Sequence, residues 1–401
     1  MNTLTPLFLI TLIGTAIAAD WPQWRGPDLN GISKETAWST EFPDGEPKIA
    51  WRAKVGTGFS SVSVVGGRLF TIGNEDGKET VWCLDASTGD VIWEHRYDCP
   101  LDPKYFEGGP TSTPTVADGV VYSLSRRGHL MALDVADGEV KWMKNIAEEN
   151  EMPMPSWGFS GSPLVLGSSL LLNIGARGMA VDRESGDVIW KSEDDEAGYS
   201  TVVPMKHGAK LAAIVGCQKS WTAIDPKSGE ELWSQRWLTR YGVNAADPIV
   251  SGNQILISSG YGKGAALLNW SEGEDEPEIV WQNKELRTQM NPAVLIDGHL
   301  FGTDGDAGNK NPLKCLELAT GKVKWGVDNI GTGGVTAADG KLIVLSARGE
   351  LIIALASPEK FAPISRAQVL GGKCWTVPVL ANARIFCRNA AGDLVCVDVS
   401  K

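Results

Sequence analysis

Histidine is scarce in this 401-residue chain. The four residues His95, His129, His207 and His299 are scattered, no two at metal-ligand spacing, which argues against a zinc centre. Positive charge is also in deficit: 37 Lys plus Arg face 49 Asp plus Glu, for a net charge of −12. Such a chain has no electrostatic grip on nucleic acid or on an anionic membrane. Gly-x-Ser-x-Gly is missing, since Gly158-Phe-Ser160-Gly-Ser162 fails at its final position, and the serine-hydrolase elbow goes with it. Gly260-Tyr-Gly-Lys-Gly264 is glycine-rich but opens no helix, so it does not read as a phosphate cradle. The apolar run Leu7 to Ala18 is too short to span a bilayer and ends in Ala16-Ile17-Ala18, the small-x-small pattern of a signal peptidase site. No Cys follows it to accept a lipid anchor. Residues 1–19 therefore read as a cleavable signal peptide, and the mature chain as a periplasmic or secreted monomer.

What the chain has in excess is glycine and tryptophan, 46 and 16 residues respectively. Five segments superimpose without gaps: Cys83 to Trp93, Ala132 to Trp142, Ala180 to Trp190, Ala223 to Trp233 and Cys315 to Trp325. Each carries an acid at its third position (Asp85, Asp134, Asp182, Asp225 or Glu317) and a glycine four residues on (Gly89, Gly138, Gly186, Gly229 or Gly321). This is a hairpin in which one strand ends at the acid, glycine takes positive φ, and the next strand ends at Trp. The unit recurs at roughly 42 to 49 residues, the period of propeller blades. A second hairpin precedes each of these, with eight turns of the type Asp118-Gly119, Asp297-Gly298 and Asp339-Gly340.

Four strands per unit and eight units predict an all-β, eight-bladed propeller over residues 47–401, preceded by a leader segment at 20–46. The last unit stops after its third strand, at Cys396-Val-Asp398, and Lys48-Ile49-Ala50-Trp51 matches the missing fourth. Pairing the two ends closes the ring and removes two open sheet edges. Trp51, Trp93, Trp142, Trp190, Trp233, Trp281 and Trp325 are expected to dock on the neighbouring blade. Two units are degenerate: one carries the acidic insertion Ser271 to Glu278 before Trp281, and one ends in Ser357-Pro-Glu-Lys-Phe-Ala-Pro363 without the Trp. Cys83, Cys315 and Cys396 fill the small-residue slot of the repeat. Cys387 and Cys396 fall on adjacent strands, where free thiols and a disulfide are alternatives.

At these residues the chain resembles the pyrroloquinoline-quinone (PQQ) type β-propeller repeat, with its Ala-x-Asp-x-x-Thr-Gly-x-x-x-Trp docking motif. The leader Asp20-Trp-Pro-Gln-Trp-Arg-Gly-Pro27 looks like the opening of secreted PQQ-like propellers of planctomycete-type bacteria. The resemblance implies one of two branches. Quinoprotein alcohol and sugar dehydrogenases hold PQQ with a calcium-type metal over the ring axis. Assembly lipoproteins of the BamB kind use an eight-bladed ring as a scaffold without a cofactor. The chain departs from both, having neither an adjacent Cys-Cys pair nor Cys-x-x-Cys-His, and no anchoring Cys.

The architecture places the ends of the inter-blade connections around one mouth of the central channel. Trp157, Phe159, Tyr199, Arg240, Tyr241, Asn244, Asn291 and Trp375 fall there, aromatic faces and amides suited to a flat or sugar-like ligand. Asp247 is the carboxylate nearest that ring and the candidate base if the chain is an enzyme. Asp304, Asp306 and Asn309 alternate as calcium ligands would, although a polar hairpin explains them as well. Three functions are compatible: a non-enzymatic scaffold binding a protein partner or small ligand at its loop face, a PQQ-dependent oxidoreductase, or a carbohydrate-recognition propeller. The longest insertions, Asp98 to Pro110 and Ile146 to Trp157, are the expected contact surface of the first.

Overall fold

The computed structural model describes residues 19–401, so the expected signal peptide lies outside the described residues except for Ala19. Eight sheets, seven of four strands and one of five, make the blades of the predicted propeller. Blade one is Ser63–Val65, Arg68–Glu75, Lys78–Asp85 and Val91–Asp98, antiparallel throughout. The middle strands are buried on both faces and so read as unbroken apolar runs. In His129–Asp134 of blade two, side-chain alternation sends Leu130 and Ala132 into the interface with blade three, and Met131 and Leu133 into that with blade one. Outer strands are covered less: Val91 and Ile92 are exposed while Trp93 is buried.

The tryptophans act between blades. The indole Nε1 of Trp51 donates to Ala86 O at 3.1 Å, Trp93 to Val135 O at 2.9 Å, Trp142 to Arg183 O at 3.1 Å, and Trp190 to Pro226 O at 3.0 Å. Trp281 and Trp325 do the same to Leu318 O and Ser357 O. Where the full repeat is kept, the acceptor directly follows the repeat's acid in the next blade, so sequence register fixes the docking point. The ring also explains the repeat glycine. Gly138 has φ +77°, and a Cβ there would stand 2.7 Å from the Trp93 ring. Trp233 differs, because blade five carries the acidic insertion in place of that turn. There Trp270 stands edge-on to Trp233 at 5.7 Å and donates to Glu274 O, while Trp233 Nε1 has no partner.

The ring closes as the sequence implied. Lys48–Lys54 pairs antiparallel with Asp393–Asp398, Trp51 opposite Cys396, and completes the blade of Val379–Ala381 and Arg384–Arg388. Buried Arg388 then stitches blade eight to blade one, its guanidinium donating to Ser60 O, Thr71 Oγ1, Ile72 O and Gly56 O.

Two features go beyond what the repeat specifies. Phe386, not Cys387, stands opposite Cys396, so Cys387 and Cys396 project from opposite faces of their sheet and belong to different core clusters; both are free thiols. The leader, which lies outside the repeat, is packed against it. Trp21 exchanges backbone hydrogen bonds with Val64 of blade one, and Pro22 O accepts from Val116 N of blade two. Ile32–Ser33 then adds a parallel fifth strand to blade seven, and Trp38 bridges Ser400. Trp21 and Trp38 are buried.

Candidate functional site

The innermost strands of blades one to five begin in a belt of side chains that ties each of these blades to the next. Thr113 Oγ1 accepts from Ser61 N at 3.1 Å, Ser162 Oγ from Thr113 N at 2.9 Å, and Thr201 Oγ1 from Ser162 N at 3.0 Å. Asp247 Oδ1 continues the series by accepting from Thr201 N at 2.8 Å. Asp247 thus holds the blade position that a hydroxyl residue holds in three sister blades. Its other oxygen accepts from Trp24 Nε1 at 2.6 Å. The leader therefore reaches across the ring, and Trp24 enters the lining of the cavity that the mouth residues also line.

This cavity has a volume of about 670 Å³. Its walls carry Phe59, Phe106, Trp157, Tyr199, Tyr241, Tyr261 and Trp375, with the hydroxyls of Thr111, Ser156, Ser160, Ser162 and Thr201 between them. The rings form two clusters. Phe59 stacks on Trp375 at 5.6 Å and tilts against Phe106 at 5.6 Å. Trp157 meets Tyr199 and Tyr241 edge-on at 5.8 and 6.4 Å, and Tyr241 meets Tyr261 at 5.0 Å. Buried Arg126 holds the first loop to the second, its Nη1 donating to Trp157 O at 2.6 Å while its guanidinium lies 5.3 Å from the Phe106 ring centre. Two lining residues hold buried polar atoms without a partner, Trp375 Nε1 and Gln289 Oε1.

Of the residues expected at the mouth, Trp157, Tyr199, Tyr241, Asn291, Trp375 and Asp247 line the cavity. Phe159 does not: it is fully buried in the core between blades two and three. Asn244 is also buried away from the lining, donating to Cys217 O and Trp237 O and accepting from Ser259. Arg240 is exposed and lies on the Tyr241 ring at 5.3 Å, outside the cavity wall. Asn291 spends both amide hydrogens on Gly333 O and Trp375 O, which sets the backbone that carries Trp375. Sequence reasoning missed Trp24, Phe106 and Tyr261. The two leader tryptophans out of register with the repeat, Trp21 and Trp24, were the available signal for the first.

The calcium-like loop is otherwise employed. Asp304 is buried and forms ion pairs with Arg287 at 2.8 Å and Lys314 at 2.7 Å, which hold its carboxyl below the ordinary range despite burial. Asp306 accepts from Tyr261 N and its backbone oxygen from Asn311 and Thr332, the geometry of a polar hairpin. Among the described residues no group of three or more His, Cys, Asp or Glu is placed to hold a metal.

PQQ with calcium makes a demand that this donor set does not meet. A tricarboxylate quinone and its ion need several free oxygen ligands and balancing cations. The lining offers one carboxylate, Asp247, with both oxygens engaged, and one cation, Lys104. The residues at the mouth do not fit the cofactor.

Asp247 is nonetheless perturbed. Burial pushes its carboxyl up to about 6, against the pull of the nearby Arg25 cation and its own hydrogen bonds. Glu79, buried between blades one and two and bonded by Tyr97 at 2.8 Å, is pushed up to about 7 by the same cause. Both carboxyls sit higher in the fold than in the unfolded chain. The stability they contribute is therefore complete below about pH 4 and is lost as pH rises through their folded values, on the order of 3 kcal/mol each. The melting temperature is expected to fall between about pH 4 and pH 7, and Glu79→Gln to flatten that slope. Identical slopes for the two proteins in thermal melts would count against this assignment.

The comparisons with known proteins agree with this architecture. A family model described as outer membrane protein assembly factor BamB matches residues 33–193 and 101–327. The chain is similar to the outer membrane protein assembly factor BamB of Yersinia pestis, 27% identical over 245 residues that cover 59% of this chain and 56% of the relative. It is also similar to quinoprotein ethanol dehydrogenase of Pseudomonas aeruginosa, 23% identical over 253 residues, 54% of this chain and 40% of the relative. The matched region thus spans about half the length of these relatives or less. Among solved structures, BamB from Moraxella catarrhalis shares the fold with a TM-score of 0.63 at 15% identity, over 88% of this chain and 99% of that one. The repeat, the eight-bladed ring and a family match over most of the propeller lead to one conclusion: the chain belongs to the PQQ-type propeller family described as outer membrane protein assembly factor BamB, with the quinoprotein alcohol dehydrogenases as relatives.

Proposed function

We propose that the chain is a non-catalytic binding module of the cell envelope, which engages a protein partner or a small ligand through the loop face that carries the mouth. The observation behind this reading is the aromatic cavity of about 670 Å³, lined by Trp24, by the two long insertions and by the starts of the inner strands. Its single carboxylate serves the inter-blade belt, so the lining holds no pair of carboxyl or imidazole groups to act as acid and base on a substrate. Lys104, Tyr105 and Phe106 come from one insertion and Ser156 and Trp157 from the other, and Tyr105 is 90% exposed at the rim. The relatives named as outer membrane assembly factors favour a scaffold in the envelope, and the apolar leader Leu7 to Ala18 agrees with export.

Two measurements on the purified chain test this. 8-Anilinonaphthalene-1-sulfonate is expected to bind saturably at one site, and Trp157→Ala to weaken it about tenfold, the loss of one aromatic contact of about 1.4 kcal/mol. Absence of a saturable site would remove the cavity as a binding site. With PQQ, calcium and an artificial electron acceptor, no alcohol-dependent reduction is expected; turnover would overturn the non-catalytic reading.

A further inference from the structure

The chemistry of the lining narrows what the mouth accepts, if the mouth is the ligand site proposed above. We infer that the cavity takes the end of a neutral saccharide and holds it without cleaving it. Three features of the wall lead there.

The first is the mixture of flat apolar faces and hydroxyls. Trp157, Tyr241 and Tyr261 put rings, and Thr111, Ser156 and Ser160 hydroxyls, into the same lining, whereas Trp375 is stacked by Phe59 and covered by Lys373. A pyranose has the complementary surface: one face of C–H groups that packs on an aromatic ring, and a rim of hydroxyls that both donate and accept. A lining of this kind rewards a ligand that is apolar and polar on alternate faces, and its volume lies within the usual range of about 300–1,000 Å³ for small-molecule sites.

The second is charge. The rings do not form an empty cage for a cation, because cations of the protein already lie on them. Lys373 Nζ sits 4.3 Å from the Trp375 ring centre, the Arg240 guanidinium 5.3 Å from Tyr241, and the Arg126 guanidinium 5.3 Å from Phe106. A positively charged ligand would meet these groups as well as the rings. Nor are they free to capture an anion in every case, since Lys373 pairs with Glu107 at 2.7 Å and Arg126 with Asp102 at 3.4 Å. The lining's own cation, Lys104, is exposed to solvent, so a neutral ligand needs no partner from it and disturbs none of these pairs.

The third is the poverty of acid. Glycoside hydrolysis uses two carboxyl groups on either side of the scissile bond, about 5–9.5 Å apart. The lining contains Asp247 alone, with Trp24 Nε1 and Thr201 N on its two oxygens. A sugar seated here keeps its glycosidic bond.

The test is calorimetry and tryptophan fluorescence of the full mature chain with cellobiose, maltotriose and N,N′-diacetylchitobiose, beside choline and PQQ as charged probes. At least one saccharide is expected to bind saturably, to lose about tenfold in affinity on Trp157→Ala, and to be recovered intact by chromatography. Tyr241→Ala, on a half-exposed ring, provides a second variant should Trp157→Ala lower the melting temperature. If none of the saccharides binds while the anilinonaphthalene dye still occupies its site, the saccharide class is wrong and the ligand site stands. If neither dye nor saccharide binds, both readings fall. Tighter binding of choline or PQQ than of every saccharide, or recovery of cleaved sugar, would overturn the inference.

Discussion

A chain that begins at Thr57 is expected to aggregate where the chain that begins at Asp20 is monomeric. The truncation removes Lys48–Lys54, which is the fourth strand of blade eight and is paired along its length with Asp393–Asp398. The sheet edge at Asp393–Asp398 opens, the side of blade one on which Trp51 docks is uncovered, and open edges recruit strands from other chains. Trp51 is lost with its hydrogen bond to Ala86 O and its contact with Gly89. A buried Trp alone is worth about 3–5 kcal/mol, comparable to much of a domain's net stability of about 5–15 kcal/mol. The ion pairs Lys48–Asp398 and Lys54–Asp393 add little, because both lysines are mostly in water. Size-exclusion chromatography with light scattering and a thermal melt decide the matter. A monomeric Thr57 chain with an unchanged melting temperature would mean that this strand does not close the ring.

The closure was legible because the repeat writes the same physical requirement into every blade. Acid, glycine and tryptophan stand at fixed spacing since the indole must reach the backbone oxygen just after the next blade's acid, and the glycine must leave room for the ring. Where that requirement lapses, as at blade five, the sequence no longer says what replaces it, and Trp270 took the place beside Trp233. The mouth was legible to the extent that strand register fixes which connections end there, which brought in Trp157, Tyr199, Tyr241, Asn291 and Trp375. Direction within a connection is not fixed by register. Phe159 lies two residues after Trp157 on the same approach yet turns into the core, because Phe159 N bonds to Arg126 O and Gly158 takes positive φ at +78° between them. Asp247 was read as a possible base because carboxylates near a channel invite that reading. Its actual work is visible only when the position is compared across blades, where Thr113, Ser162 and Thr201 make the same bond to a neighbour's N–H. The leader was illegible for a simpler reason: a segment without the repeat carries no register against it.

That leader gives the second large effect. Deleting Asp20 to Pro43, with Lys48 onward intact, is expected to lower stability by several kcal/mol even though the ring keeps every docking tryptophan of the repeat. Trp21 and Trp38 are both at or below 2% exposed, and each is worth about 3–5 kcal/mol on removal. Blade seven also loses its fifth strand, leaving the inner backbone edge of Gly334–Ala338 without the Ile32–Ser33 pairing. Buried Arg25, which donates to Leu29 O and Ala293 O, and Glu35, which accepts from Ala383 N, leave with it. The single change Trp24→Ala separates stability from site. It takes away one wall of the cavity and the partner of Asp247 Oδ2, while Trp21, Trp38 and the added strand remain. Denaturant melts should therefore show a large loss for the deletion and a smaller one for Trp24→Ala. Dye binding at the mouth should weaken in both, because Trp24 is part of the wall against which a ligand rests. A deletion protein with undiminished stability would show that the leader merely lies on the propeller, and undiminished dye binding by Trp24→Ala would show that the cavity does not depend on it.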